Sequence, residues 1–136
     1  MNKRILLIDD EPDVLSGYKR NLNNIFEVTT APDSTEAVNI INTSREFAVI
    51  ITDYKMPGMN GIALLSIIKK LTPDSIRVLI TGHPDTDVAI DAVNEGNIFR
   101  FLTKPYPPSR LIRVINECIE EYNIKKTENA SRNINK

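Results

Sequence analysis

Three aspartates and one lysine stand directly behind short hydrophobic runs. Asp9 and Asp10 follow Ile-Leu-Leu-Ile, Asp53 follows Val-Ile-Ile-Thr, and Lys104 follows Phe-Leu-Thr. Carboxylates held within a few ångström of one another repel, so such a cluster persists only if a cation neutralises it or its pKa values rise. Magnesium suits it: the ion takes oxygen ligands in octahedral geometry and keeps several waters and phosphate oxygens beside one or two carboxylates. Lys104 would add a fixed positive charge for a phosphoryl oxygen. Phosphoryl transfer asks for positioning and charge more than for covalent help, so metal, lysine and one carboxylate nucleophile form a sufficient set. Asp53 is the best candidate for that nucleophile.

These residues must be brought together by the elements that precede them. Strand-like and helix-like segments alternate five times, the pattern of an α/β fold with a parallel five-stranded sheet. The strands are expected at about residues 4–9, 26–30, 48–53, 76–80 and 98–103. Near-continuous apolar runs fit strands buried on both faces, so a charge at the end of each lies on the carboxyl edge of the sheet, where such folds bind ligands. The first helix is expected from Pro12, with Val14, Leu15, Tyr18 and Leu22 on one face. Asp33 and Glu36 read as the capping pair of a second helix, and a third follows Gly61 and stops before Pro73. A fourth is expected from Thr86 to Glu95, ended by Gly96, and a fifth after Pro107 and Pro108 running to Tyr122. From Asn123 the chain turns polar and loses periodicity, as in a disordered tail or a linker to a further module.

At 136 residues the chain fits one domain, residues 1–122, with residues 123–136 as the polar tail or linker. Seventeen basic against 18 acidic side chains leave a net charge of -1, which gives no electrostatic case for direct contact with nucleic acid. Cys118 sits among Val114, Ile115, Ile119 and Tyr122 at helical spacing, as a packed thiol would. The opening Met-Asn-Lys-Arg-Ile-Leu-Leu-Ile has too short an apolar stretch for a signal sequence or a membrane span, so no membrane association and a reduced cytoplasmic location are expected.

The segments Leu-Leu-Ile-Asp-Asp-Glu-Pro, Ile-Ile-Thr-Asp-Tyr-Lys-Met-Pro-Gly-Met-Asn-Gly, Leu-Ile-Thr-Gly-His-Pro-Asp and Phe-Leu-Thr-Lys-Pro-Tyr, in this order, resemble the receiver domain of two-component response regulators across residues 3–122. The resemblance implies a CheY-like, flavodoxin-like doubly wound (βα)5 fold with strand order 2-1-3-4-5. It implies that Asp53 accepts a phosphoryl group from a sensor histidine kinase or a histidine phosphotransfer protein. Asp10 and Asp53 would bind magnesium directly, or manganese in its place, Asp9 would support it largely through water, and the backbone carbonyl of Lys55 would complete the protein ligands. Thr81 corresponds to the hydroxyl residue that moves toward the phosphoryl group, Lys104 to the lysine that holds another of its oxygens, and Phe101 to the switch aromatic. The Lys104-Pro105 bond is expected to be cis. Such a domain is a signalling phosphoacceptor that assists its own phosphorylation and dephosphorylation, not an enzyme acting on a separate substrate. Phosphorylation would alter the face built by the fourth helix, fifth strand and fifth helix, where an output domain or effector reads the state, as a monomer or a phosphorylation-dependent dimer.

Two features depart from the common pattern. Lys55 and His83 occupy positions that in the family tune hydrolysis of the acyl phosphate. The segment Asn-Glu-Gly-Asn-Ile-Phe-Arg-Phe-Leu-Thr-Lys-Pro differs from receivers joined to winged-helix DNA-binding domains. It looks more like those joined to cyclic-dinucleotide phosphodiesterase, related metal-hydrolase or kinase modules. That counts against dimerisation through the charged face of the winged-helix group. Three rivals remain. A haloacid dehalogenase-type phosphatase needs an acid two residues beyond its nucleophile, where this chain has Glu11 after Asp9. A Rossmann-type nucleotide binder needs a glycine-rich turn where this chain has Asp-Asp-Glu-Pro. The third is a receiver-like interaction module that acts without phosphorylation; the intact acidic pair, Asp53, Thr81 and Lys104 argue against it.

Overall fold

The hydrophobic runs form strands because their side chains alternate between two buried layers. In β1 (Arg4–Ile8), Ile5 and Leu7 enter one core while Leu6 and Ile8 enter the other. In β3 (Val49–Asp53), Val49 and Ile51 divide from Ile50 in the same way. The computed structural model describes residues 1–82 and 98–134. With β2 (Glu27–Ala31), β4 (Ile76–Thr81) and β5 (Arg100–Thr103), these strands make one parallel sheet in the order β2-β1-β3-β4-β5. That is the doubly wound order implied by the resemblance. The expected fourth helix and His83 lie outside the described residues.

Helices cover both faces, which is what a sheet without a polar side requires. α1 (Pro12–Leu22) and the C-terminal helix (Pro108–Ile134) pack on the layer containing Ile5, Ile51 and Val78, through Tyr18, Leu22, Leu111, Ile115 and Cys118. α2 (Ser34–Thr43) and α3 (Gly61–Leu71) cover the other, through Ala37, Leu64, Leu65 and Ile68. The starts of these helices follow from local chemistry. Asp33 Oδ1 accepts the Glu36 N–H at 2.8 Å, and Asn60 Oδ1 accepts the Ala63 N–H at 2.9 Å, each satisfying a donor that the first turn leaves free. α1 has no side-chain cap at Glu11 but begins with Pro12, which lacks the N–H that would need one.

The end of the last helix differs from expectation. Its apolar stripe stops at Tyr122, yet the helix runs on to Ile134, twelve residues past Tyr122. The polar residues that break the periodicity hold it. Lys126 Nζ lies 2.7 Å from Glu46 Oε1 and 3.3 Å from Asp74 Oδ2, and Asn129 Nδ2 donates to both carboxylate oxygens of Asp74 at 3.0 Å. The Tyr122 hydroxyl donates to Glu46, and Asn2 Nδ2 reaches the same hydroxyl at 3.3 Å. Polar side chains thus tie the helix to the loops before β3 and β4, a tether that a search for hydrophobic spacing does not see. A disordered tail is not what residues 123–134 form.

Candidate functional site

β1 and β3 are adjacent, with Ile8 opposite Thr52, so the residues that follow them emerge side by side at the carboxyl edge. One carboxylate oxygen from each of Asp9, Asp10 and Asp53 lies within 4.8 Å of the others. The three differ in setting. Asp9 is buried at 1% exposure, Asp53 is half-buried, and Asp10 is open to solvent. Asp9 Oδ1 accepts the Glu11 N–H at 3.0 Å, whereas its Oδ2 is buried with no hydrogen-bond partner among the described residues.

Lys104 closes the group from the far side of the sheet. Its N–H donates to Thr81 O at 2.8 Å, which continues the β4–β5 ladder beyond the Thr81–Thr103 pair and directs the chain over the end of β4. The ammonium then stands 3.2 Å from Asp53 Oδ1 and 3.7 Å from Asp9 Oδ2. The electrostatics follow. Burial raises the Asp9 pKa above its ordinary value, the Glu11 N–H opposes this, and the Asp53 charge adds to the rise. Burial works against the Lys104 ammonium, but Asp53 and Asp9 outweigh it and raise its pKa. Among the described residues, three acids against one cation, with a buried oxygen lacking a donor, is a set that a small hard dication fits: Asp9, Asp10 and Asp53 would hold it.

Thr81, buried at the end of β4, is one residue beyond Ile80, the partner of Asp53 across the β3–β4 ladder. Phe101 lies opposite Leu79 in β5, half-buried against the α2–α3 core. Lys55 is exposed in the loop after β3. The Lys104-Pro105 peptide bond is cis. A close approach fixes the far wall of the site: a Cβ on Gly61 would meet Asp53 O at 2.5 Å and Leu79 Cδ1 at 2.7 Å, so only glycine lets α3 start this close to the end of β3.

Sequence reasoning missed one feature. Tyr18, read there simply as part of the inward stripe of α1, shares a 2.8 Å hydrogen bond with the hydroxyl of Tyr106, two residues after Lys104. The available signal was a tyrosine, with its polar tip, in a stripe that otherwise carries aliphatic residues.

Comparison with known proteins agrees with this geometry. The family model described as the response regulator receiver domain matches residues 5–116. The chain is 32% identical over 127 residues to the hydrogenase transcriptional regulatory protein HoxA of Bradyrhizobium diazoefficiens, covering 93% of this chain and 26% of that protein. A crystal structure titled as adenylate cyclase from Rhodopirellula baltica is 39% identical with a TM-score of 0.94, covering 98% of both chains. The signal receiver domain of an HD domain-containing protein from Pseudomonas fluorescens Pf-5 is 30% identical with a TM-score of 0.84, covering 90% of this chain and 98% of that one. This chain belongs to the response regulator receiver family. It spans about a quarter of the length of the curated relatives it matches. Among the described residues, no helix is long and apolar enough to cross a membrane.

Proposed function

We propose that this chain is a phosphorylation-driven switch in which Asp53 is the phosphoacceptor. The observation that carries the reading is the Lys104 ammonium set 3.2 Å from Asp53 beside the acidic cluster. An Asp53 carboxylate oxygen attacks the phosphorus of a phosphohistidine on a sensor kinase or phosphotransfer protein. The phosphorus–nitrogen bond breaks, its electron pair stays on the imidazole, and an aspartyl phosphate forms. Magnesium, or manganese in its place, supplies charge neutralisation for the phosphoryl oxygens when bound by Asp9, Asp10 and Asp53 with the Lys55 carbonyl. Lys104 holds one phosphoryl oxygen by a charge-assisted hydrogen bond. Water later returns the carboxylate and releases phosphate, with Lys55 and His83 tuning its access.

Thr81 and Phe101 are the switch residues in this reading. A new dianionic group beside the end of β4 attracts the Thr81 hydroxyl, and Phe101 shifts population in response. The face that includes β5 and the C-terminal helix then changes for its reader, and residues 123–136 lead toward an output module. The relatives' names support two output classes: gene control, from HoxA, and signalling enzymes, from the adenylate cyclase and HD domain-containing proteins. The domain itself need not touch nucleic acid. We place the protein in the cytoplasm, where such kinases phosphorylate their partners.

Incubation with acetyl phosphate, followed by intact mass, tests the reading. A single phosphoryl adduct is expected on the wild type with magnesium, and none without magnesium or in Asp53→Ala. An adduct of equal yield in Asp53→Ala would overturn it.

A further inference from the structure

Tyr18 and Tyr106 each belong to one half of the site, and the chemistry above uses neither. Tyr18 lies in α1 at 8% exposure. The first turn of α1 is coupled to the acidic pair, because Asp9 Oδ1 accepts the Glu11 N–H and Glu11 O accepts the Val14 and Leu15 N–H groups. Tyr106 sits in the loop between β5 and the C-terminal helix, two residues after the lysine whose ammonium faces Asp53. The 2.8 Å bond between their hydroxyls therefore ties α1, the helix that follows the Asp9–Asp10 pair, to the loop that carries the cation.

That loop is packed on one side, where Tyr106 rests against the core, and open on the other. A groove of about 340 Å³ opens beside it, lined by Val14, Tyr18, Leu22, Pro105, Tyr106 and Leu111. Apolar walls around an open groove leave the loop room to shift, since a gap forfeits the dispersion contacts that would hold it. The directional contact across the groove is the hydroxyl pair. Among hydroxyl-free side chains of similar shape, phenylalanine would fill both ring positions and lose only this bond.

We propose that the Tyr18–Tyr106 bond is a positioning device for Lys104, holding its loop against α1 and so setting the ammonium at its distance from Asp53. The proposal rests on the reading that Asp53 takes a phosphoryl group and Lys104 holds one of its oxygens. Neither tyrosine touches the reacting atoms in this account. Their effect passes through the lysine.

The test is the rate of Asp53 phosphorylation by saturating acetyl phosphate with magnesium. It compares Tyr18→Phe, Tyr106→Phe and the double variant, each with Lys104 present and with Lys104→Ala. With Lys104 present, each single change and the double are expected to slow the reaction by the same factor, about tenfold, since a small misplacement of a positioning group is costly and both changes delete one bond. In the Lys104→Ala background the tyrosine changes are expected to have no further effect. A purely structural pair would instead slow both backgrounds alike, or neither, and either result overturns the proposal. Binding of beryllofluoride, read by fluorine NMR, gives the same comparison in variants too slow to time. No adduct on the wild type, or no effect of Lys104→Ala alone, would instead sink the underlying reading of the site.

Discussion

The Lys104 ammonium stands 3.2 Å from Asp53 Oδ1, although 51 positions separate the two residues in the chain. The parallel sheet makes this inevitable. β3 and β5 both neighbour β4, and their carboxyl ends lie on the same edge. Whatever follows β1, β3 and β5 must meet there, which is why four charged side chains share one small volume.

Asp9 should be a liability to the metal-free fold. Its carboxylate is almost fully buried, one oxygen has no hydrogen-bond partner among the described residues, and burial raises its pKa. Asp9→Asn keeps the acceptor for the Glu11 N–H and removes the charge. Denaturant unfolding at neutral pH without magnesium should show the variant more stable than the wild type, because the buried charge is gone. Stabilisation by added magnesium should shrink in the same variant. A less stable metal-free variant would show that the ion pair to Lys104 outweighs the desolvation of Asp9.

Gly61 should resist replacement for steric reasons. Gly61→Ala places a methyl group 2.5 Å from Asp53 O, and backbone cannot yield as a flexible side-chain tip does. Chemical denaturation should show a loss of about 1–3 kcal/mol, as for overpacking. Phosphorylation at Asp53 should slow as well, since the displaced carbonyl belongs to that residue.

The helix beyond Tyr122 should depend on Asp74. Asp74→Ala removes the acceptor for Asn129 and one of the two carboxylates that face Lys126, leaving Glu46. Lys126 is 43% exposed, so solvent limits the pair, and the local loss should be about 0.5–1 kcal/mol. Hydrogen exchange should quicken in residues 123–134 while protection in β1 and β3 stays unchanged. Equal exchange in wild type and variant would show that the tether does not hold the helix.

The Cys118 thiol should be silent in the folded protein. Burial pushes its pKa up to about 12, against a small opposing effect of Arg100. The folded value lies above the unfolded one, so the thiol's contribution to stability is whole below about pH 9, the ordinary value, and is lost as the pH rises from there through about 12. Alkylation with iodoacetamide at pH 8 should proceed only at the rate of global unfolding. Fast labelling of native protein would contradict the burial.

Much of this was legible in the sequence because its signals are local. Runs such as Leu6 to Ile8 and Val49 to Ile51 announce strands buried on both faces, and each described strand begins and ends within two residues of expectation. Asp9, Asp10, Asp53 and Lys104 were found because each follows such a run. What escaped depends on contacts across the fold. The Tyr18–Tyr106 bond spans 88 positions, and the Lys126–Asp74 contact spans 52. Neither leaves a periodic trace, so the hydrophobic pattern ended the last helix at Tyr122 where polar tethers carry it to Ile134.

The most direct measurement locates the phosphoryl group. Protein treated with acetyl phosphate and magnesium would be reduced with borohydride, which converts an aspartyl phosphate to homoserine, and then sequenced by tandem mass spectrometry. The account predicts homoserine at position 53 alone, absent when magnesium is withheld. Homoserine at position 9 or 10 in place of 53, or at none of the three, would contradict it.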